Sequence, residues 1–345
     1  MARVSEETYA DRVRRAVPQR GDILYSREGS YHGIAAEVPF GHRVCMGQRM
    51  VLIRPNSNVL NFRFLRYWLN SSYVRDFIEG MREGSGAPRI NMPTIRELLT
   101  PLPPIGEQNS VARLLGALDD KIAVNERIAA TADELVLAIA SSERWEARIP
   151  LGEICTLRKD QISPAEISEP QVDHYSLPAF DSQKRPERTS PGTIKSGKFL
   201  VATPAVLFSK LNPEIPRVWN VTPANAVPAL ASTEFLVLTP RGDVSTHELW
   251  AVTAQQDFRE VVAARVTGTS KSHQRVRPTD VLAAEVVDPR RFGAVQQQIN
   301  SLALSALAAR KESVVLASLR DTLLPQITSG RLRVKEAEMI IEDHA

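Results

Sequence analysis

The chain has 345 residues, 43% of them hydrophobic, and its 43 Lys and Arg against 40 Asp and Glu leave a formal net charge of only +3. This length and composition exclude a disordered chain and favour two domains or an elongated assembly over a single core. The two cysteines, Cys45 and Cys155, give no disulfide framework, and no run of about 18 apolar residues predicts a membrane span, so we expect a cytoplasmic protein without a membrane partner.

The first part of the chain predicts two strands, a helix and a polar loop. Residues 21–26 (GDILYS) have the compact apolar run of a buried strand, and residues 49–55 (RMVLIRP) predict a second strand that proline ends. Residues 64–80 place apolar side chains along one face of a helix. A polar loop follows at residues 83–94 (EGSGAPRINMPT).

The clearest periodic pattern begins after Gly106 and predicts a long helix. Apolar and small residues recur there at spacings of four and three, which is typical of the seam of a coiled coil. A helix of about 35 residues would span roughly 50 Å at 1.5 Å per residue. The seam positions are Val111, Leu115, Leu118, Ile122, Asn125, Ala129, Ala132, Val136 and Ile139.

The second half repeats the same order of elements. Residues 205–209 (AVLFS) match DILYS, residues 232–240 match the second strand, and residues 247–262 match the helix. The polar loop at residues 267–279 (TGTSKSHQRVRPT) ends in Pro-Thr, as the first loop does. The chain is therefore an imperfect tandem repeat. Its second long helix has the seam Val295, Ile299, Leu302, Ala306, Ala309, Ser313 and Leu316.

The two copies differ in length before their first matching strand. The second copy has a long segment there, opening with IPLGEIC at residues 149–155, and the first copy has a much shorter one. A reduced module, a truncated gene product and a wrongly assigned start would each account for this difference.

The sequence lacks the motifs of the common catalytic sites. No Gly-rich loop carries the Lys-Ser/Thr pair of a nucleotide-binding P-loop, and no serine lies in a nucleophile elbow. His32, His42 and Cys45 have no second pair of ligands at zinc spacing. Asn212 and Pro213 are not followed by the residues of an amino-methyltransferase site. A binding protein is the better interpretation.

Repeated modules on long helices suit DNA recognition. Antiparallel helices would hold the modules at the ends of a rod, and a separation of roughly 50 Å is about one and a half turns of B-DNA, so that two half-sites with an unread spacer could be contacted. Loops rich in Arg, Lys, Ser, Gln and Asn supply the donors and acceptors that phosphates and base edges require.

Five stretches resemble the specificity subunit of type I restriction-modification systems. They are GDILYSREGS, YWLNSSYVRDFI, GSGAPRINMPTIREL, PLPPIGEQNSVARLLGALDDKI and, most specifically, LRDTLLPQITSGRLRV at residues 319–334. The resemblance implies an α+β fold in which two target-recognition domains are joined by two long helices that form an antiparallel coiled coil. Each domain would recognise one half of a split DNA site, and the chain would have no active site and no cofactor of its own.

The resemblance also implies partners. Besides double-stranded DNA, these are two copies of the modification subunit, which brings S-adenosylmethionine, and a restriction subunit, if present, which brings ATP and Mg²⁺. The alternative is a scaffold or decoy subunit with an inactive first recognition domain. We expect the boundaries 1–104 for the first recognition domain, 105–143 for the first long helix, 144–290 for the second recognition domain, 291–326 for the second long helix and 327–345 for a tail.

Carried onto this sequence, the resemblance places the DNA-binding residues after the first strand of each copy and in each polar loop. In the first copy these are Ser26, Arg27, Tyr31 and His32, with Arg82, Ser85, Arg89 and Asn91 in the loop. In the second copy they are Ser209, Lys210 and Asn212, with Thr269, Ser270, Lys271, His273, Gln274 and Arg275 in the loop.

Overall fold

The computed structural model describes residues 3–29, 32–81, 89–141, 145–224, 227–266, 274–328 and 331–342. The chain divides into a first unit, Met1–Asn125 with Glu312–Ala345, and a second unit, Glu126–Lys311. Each long helix therefore contributes residues to both units. Among the described residues, no helix is both long and apolar enough to cross a membrane.

The described residues form runs of short strands separated by runs of helices. Those up to the end of the first long helix are α1 (Glu6–Arg12), β1 (Ile23–Ser26), β2 (Ala35–Glu37), β3 (Met50–Ile53), α2 (Phe62–Leu69), α3 (Ser72–Gly80), α4 (Met92–Glu97) and α5 (Ile105–Ala140). Next come β4 (Arg148–Pro150), β5 (Cys155–Arg158), β6 (Gln161–Ile162), β7 (Val172–Tyr175), α6 (Leu177–Gln183), β8 (Glu187–Thr189), β9 (Lys198–Leu200), β10 (Ala205–Ser209), β11 (Val218–Val221), β12 (Ala229–Ala231) and β13 (Phe235–Pro240). The last are α7 (Thr246–Thr253), α8 (Gln256–Ala263), α9 (Pro278–Leu282), β14 (Glu285–Val287), α10 (Val295–Thr328) and α11 (Val334–Glu342).

The first unit is built on a three-stranded antiparallel sheet with the order β2-β1-β3. In its register, Tyr25 of β1 lies opposite Ala35 on one side and Val51 on the other. Side chains from α2 and α3, among them Leu65 and Val74, complete the apolar core of this sheet. Strand β2 was not anticipated from the sequence.

The single helix predicted for residues 64–80 is wrong, because two helices occupy this region. Asn70 ends α2, and its side chain accepts a 2.9 Å hydrogen bond from the Ala35 amide and donates one of 2.9 Å to the Ala35 carbonyl. Ser71 then caps α3 by accepting a hydrogen bond from the Val74 amide. The same correction applies to residues 247–262, where α7 ends at Thr253 and α8 starts at Gln256.

The second unit has two larger sheets, with the orders β11-β10-β13-β5 and β6-β9-β12-β7-β8. Strands β11, β10 and β13 pair as β2, β1 and β3 do in the first unit. All five residues of β10 are buried, because Val206 and Phe208 enter one apolar core while Ala205 and Leu207 enter another. The segment before β10 supplies β5, which pairs with β13 at the edge of this sheet, and β6 to β9 of the five-stranded sheet. Tyr175 of β7 packs with Ala205 and Leu207 in the second of these cores.

The antiparallel coiled coil predicted for the two long helices is confirmed by contacts in each unit. In the first unit, Asp119 of α5 bonds to Arg320 of α10, and Asn125 bonds to Glu312. In the second unit, small residues of both seams form one buried cluster. The members of this cluster are Ala129, Ala132, Ala306 and Ala309.

Candidate nucleic-acid interface

Strand β1 ends in a backbone hydrogen-bond pattern that links three parts of the first unit. The amide of Arg27 donates to the carbonyl of Arg49, just before β3, at 2.9 Å. The amide of Ile90, in the polar loop, donates to the carbonyl of Arg27 at 2.8 Å. The backbone of Arg27 is thereby bonded both to the residue before β3 and to the polar loop.

Strand β10 ends in the same way in the second unit. The amide of Lys210 donates to the carbonyl of Glu234 at 2.8 Å, and the amide of Val276 donates to the carbonyl of Lys210 at 3.1 Å. By this pattern, Lys210 occupies the place of Arg27, and Glu234 occupies the place of Arg49. The repeat inferred from sequence therefore extends to individual backbone bonds.

One arginine from each polar loop lies directly beside the corresponding strand end. Arg89 forms an isolated antiparallel bridge with Glu28, and Arg275 forms one with Leu211. Residues facing each other in such a bridge have side chains on the same face. The bridges thus place Arg89 beside Glu28 and Arg275 beside Leu211, the residues that directly follow the predicted site residues Arg27 and Lys210.

Both arginines are paired with carboxylates that the sequence analysis did not include among the site residues. Arg89 Nε lies 3.0 Å from Glu28 Oε1, and a nitrogen of Arg27 lies 3.3 Å from the same oxygen. Arg275 binds Glu234 through two bonds, from Nε at 3.0 Å and from Nη2 at 2.9 Å. The bonds from Arg275, together with the nearby charge of Lys210, lower the pKa of Glu234 and keep it ionised.

The predicted serines use their hydroxyl groups within the strand ends. Ser26 and Ser209 are both buried. Ser209 Oγ donates to the Leu211 carbonyl at 2.9 Å, and Ser26 Oγ is 3.5 Å from the equivalent Glu28 carbonyl. These serines shape the turns that carry the basic residues.

The remaining described candidates differ in how their side chains are placed. His32 has its ring Nδ1 3.1 Å from the Gly29 carbonyl and its Nε2 2.9 Å from Glu79 Oε1, so that both nitrogens face acceptors inside the unit. Asn91 precedes α4 and makes no capping hydrogen bond with its side chain. Asn212 has a positive φ of 48°, and its amide donates to the Gln274 carbonyl at 2.9 Å. It therefore fixes the turn after β10 to the end of the second loop.

Several predicted site residues lie outside the described residues. They are Tyr31, Arg82, Ser85, Thr269, Ser270, Lys271 and His273.

A cavity of about 270 Å³ lies next to Lys210 in the second unit. Its lining includes Arg158 and Lys159 at the end of β5, Gln161 of β6 and the ring of Phe199. In the part of the chain that the structure describes, no group of three or more His, Cys, Asp or Glu side chains is arranged to hold a metal ion.

Comparison with protein families matches residues 4–133 to the type I restriction modification DNA specificity domain. The chain is 26% identical over 113 residues to the type I restriction enzyme MjaVIII specificity subunit of Methanocaldococcus jannaschii, which is 32% of this chain and 25% of that protein. It is 27% identical over 128 residues to the HindI specificity subunit of Haemophilus influenzae, which is 36% of this chain and 28% of that protein. These matches therefore span only about a quarter of the relatives' length.

Two solved structures align over most of the chain at low identity. The type I restriction-modification S subunit from M. genitalium has a TM-score of 0.49 and 16% identity, and the alignment covers 90% of this chain and 83% of that one. The HsdS subunit from Thermoanaerobacter tengcongensis has a TM-score of 0.34 and 17% identity, with 92% and 82% covered.

Proposed function

We propose that the chain is the non-catalytic DNA-recognition subunit of a type I restriction-modification complex. The support is the match of residues 4–133 to the type I restriction modification DNA specificity domain and the similarity to specificity subunits over about a third of the chain. Each unit would recognise one half of a bipartite site in double-stranded DNA. The complex would act in the cytoplasm, where the DNA lies.

The observation that carries this proposal is the repeated strand end. Arg27 with Arg89, and Lys210 with Arg275, lie at equivalent places in two units whose surrounding sheets differ in size. Basic side chains fixed at the end of a buried strand suit contacts to phosphates and guanine edges. Two such clusters on one chain suit two half-sites.

We further propose that the long helices bind two copies of a modification subunit and, where one exists, a restriction subunit. Those partners would bring S-adenosylmethionine, ATP and Mg²⁺. The support is the exposed apolar surface of the helices, since Val124, Ile128 and Leu135 of α5 and Leu304 and Val314 of α10 lie partly in solvent.

Co-purification with an adenine methyltransferase subunit, followed by gel-shift titration, tests the proposal. The complex should bind a duplex carrying its motif far more tightly than a random duplex. A scaffold or decoy with an inactive first domain would instead co-purify but bind both duplexes equally. Failure to bind any methyltransferase subunit would contradict the proposed complex.

A further inference from the structure

One arginine in each polar loop, Arg89 or Arg275, is paired with a carboxylate, although the two carboxylates come from different places in the fold. We propose that Glu28 and Glu234 are positioning residues for DNA recognition, which hold Arg89 and Arg275 in place for contact with one half-site each. This inference rests on the proposed function and names residues that contribute to the sequence specificity of DNA binding.

The geometry of the second pair fixes the plane of the guanidinium group. Glu234 accepts hydrogen bonds from both Nε and Nη2 of Arg275 at 3.0 and 2.9 Å. Two parallel bonds to one carboxylate leave an arginine little freedom to rotate. The guanidinium is thereby ordered before it meets a ligand, which reduces the entropy lost when it binds.

The fold does not require a carboxylate at either position. The backbone pattern equates Glu234 with Arg49 in the first unit, and the isolated bridges equate Glu28 with Leu211 in the second. Each unit thus supplies its glutamate from the position where the other unit has a different residue. The two units share an arginine at an equivalent position, Arg89 or Arg275, and each arginine has a carboxylate beside it.

Folding stability gives little reason for these pairs. The side chains of Arg89 and Arg275 are 59% and 45% exposed, and exposed ion pairs contribute little to stability. Recognition gives a better reason, because a carboxylate next to the DNA also repels phosphates. It therefore disfavours non-specific binding while it aims the arginine at a base edge.

Replacing each glutamate with glutamine removes the charge and keeps the shape. With the DNA motif first mapped for the wild-type complex, duplexes with base changes in either half are titrated against each variant. We expect Glu234→Gln to reduce discrimination at the second half-site by roughly tenfold and to leave the first half-site unchanged. Glu28→Gln should reduce discrimination at the first half-site and leave the second unchanged. Glu169→Gln, an exposed carboxylate elsewhere in the second unit, is the control and should change neither.

A relocated carboxylate separates positioning from a structural role of Glu234. Leu211 faces Arg275 as Glu28 faces Arg89, so Leu211→Glu combined with Glu234→Gln rebuilds the arrangement of the first unit. This double variant should recover discrimination at the second half-site. A role of Glu234 in the turn before β13 would not be recovered in this way.

The outcomes distinguish this inference from the proposed function. A wild-type complex without preference for a bipartite site would overturn both. If the wild-type complex does prefer a bipartite site, three results would overturn the positioning role alone. The glutamine variants could discriminate like the wild type, the glutamine variants could weaken binding to both halves equally, or the double variant could fail to recover discrimination.

Discussion

The carboxylate of Asp119 in α5 accepts a 2.7 Å hydrogen bond from Arg320 in α10, which links the two long helices within the first unit. The same carboxylate accepts bonds from the Tyr67 hydroxyl at 2.7 Å and from Arg66 at 2.6 Å, both in α2. One acidic residue of α5 therefore joins α2 to α10.

Asp119→Asn should destabilise the first unit. Burial raises the pKa of Asp119, but the hydrogen bonds from Arg320, Tyr67 and Arg66 outweigh it and lower the pKa below the ordinary 3.8. For a partly buried network we expect a loss of about 2 kcal/mol in the free energy of unfolding at pH 7, between the values for exposed and buried pairs.

The pH dependence of this loss follows from the lowered pKa. The stabilisation by ionised Asp119 is complete above 3.8 and disappears as pH falls through the lower folded-state value, so the wild type and Asp119→Asn should converge below pH 3.8. Denaturant unfolding across this pH range measures the difference. Asp120→Asn, at the exposed neighbouring position, is the control. A difference that stays constant at low pH would contradict the ionised network.

Ser313→Ala should stabilise the coiled coil. Ser313 is buried in the seam of α10, and its hydroxyl has no hydrogen-bond partner among the described residues. Removing an unsatisfied buried hydroxyl should raise the free energy of unfolding by about 1 kcal/mol. Ser318→Ala, at an exposed position of the same helix, should change it little. A loss of stability in Ser313→Ala would mean that the hydroxyl is satisfied in solution.

The long helices were predictable because their seams repeat over many turns, whereas short elements were not. Strand β2 has only three residues, and its Ala-Ala-Glu sequence shows no alternation of apolar and polar side chains. The helix corner at Asn70 and Ser71 was missed because apolar residues continue on both sides of it. The five-stranded sheet depends on pairing between distant strands, which local patterns do not contain.

The candidate site was predictable as a pair of loops, but its carboxylates were not. Repetition pointed to Arg89 and Arg275 as members of equivalent loops. Glu28 and Glu234 occupy non-equivalent positions in the two copies, so comparing the copies could not identify them. Only the three-dimensional arrangement places each one beside its arginine.

Arg275→Ala should weaken recognition of the second half-site alone. If Arg275 contacts a base, its loss should weaken binding there by roughly 1–3 kcal/mol, with little effect at the first half-site. Titration of duplexes altered in each half measures this, with Lys195→Ala as a control for lost charge in the same unit. Equal losses at every sequence would instead indicate a phosphate contact.

Asn212→Gly tests whether Asn212 is needed for the shape of the turn after β10 or for its side-chain amide. The positive φ of 48° suits glycine, so this variant should fold as stably as the wild type, whereas Asn212→Ala should lose about 1–2 kcal/mol in the free energy of unfolding. A folded Asn212→Gly chain should still discriminate less at the second half-site. Unchanged discrimination would show that Asn212 only shapes the turn.

The most direct test of DNA recognition by both units is a map of methylated adenines made with the chain and its modification subunit. We predict a bipartite motif with an unread spacer, in which Arg89→Ala relaxes one half and Arg275→Ala relaxes the other. A single contiguous motif, or a motif whose halves both change with either substitution, would contradict it.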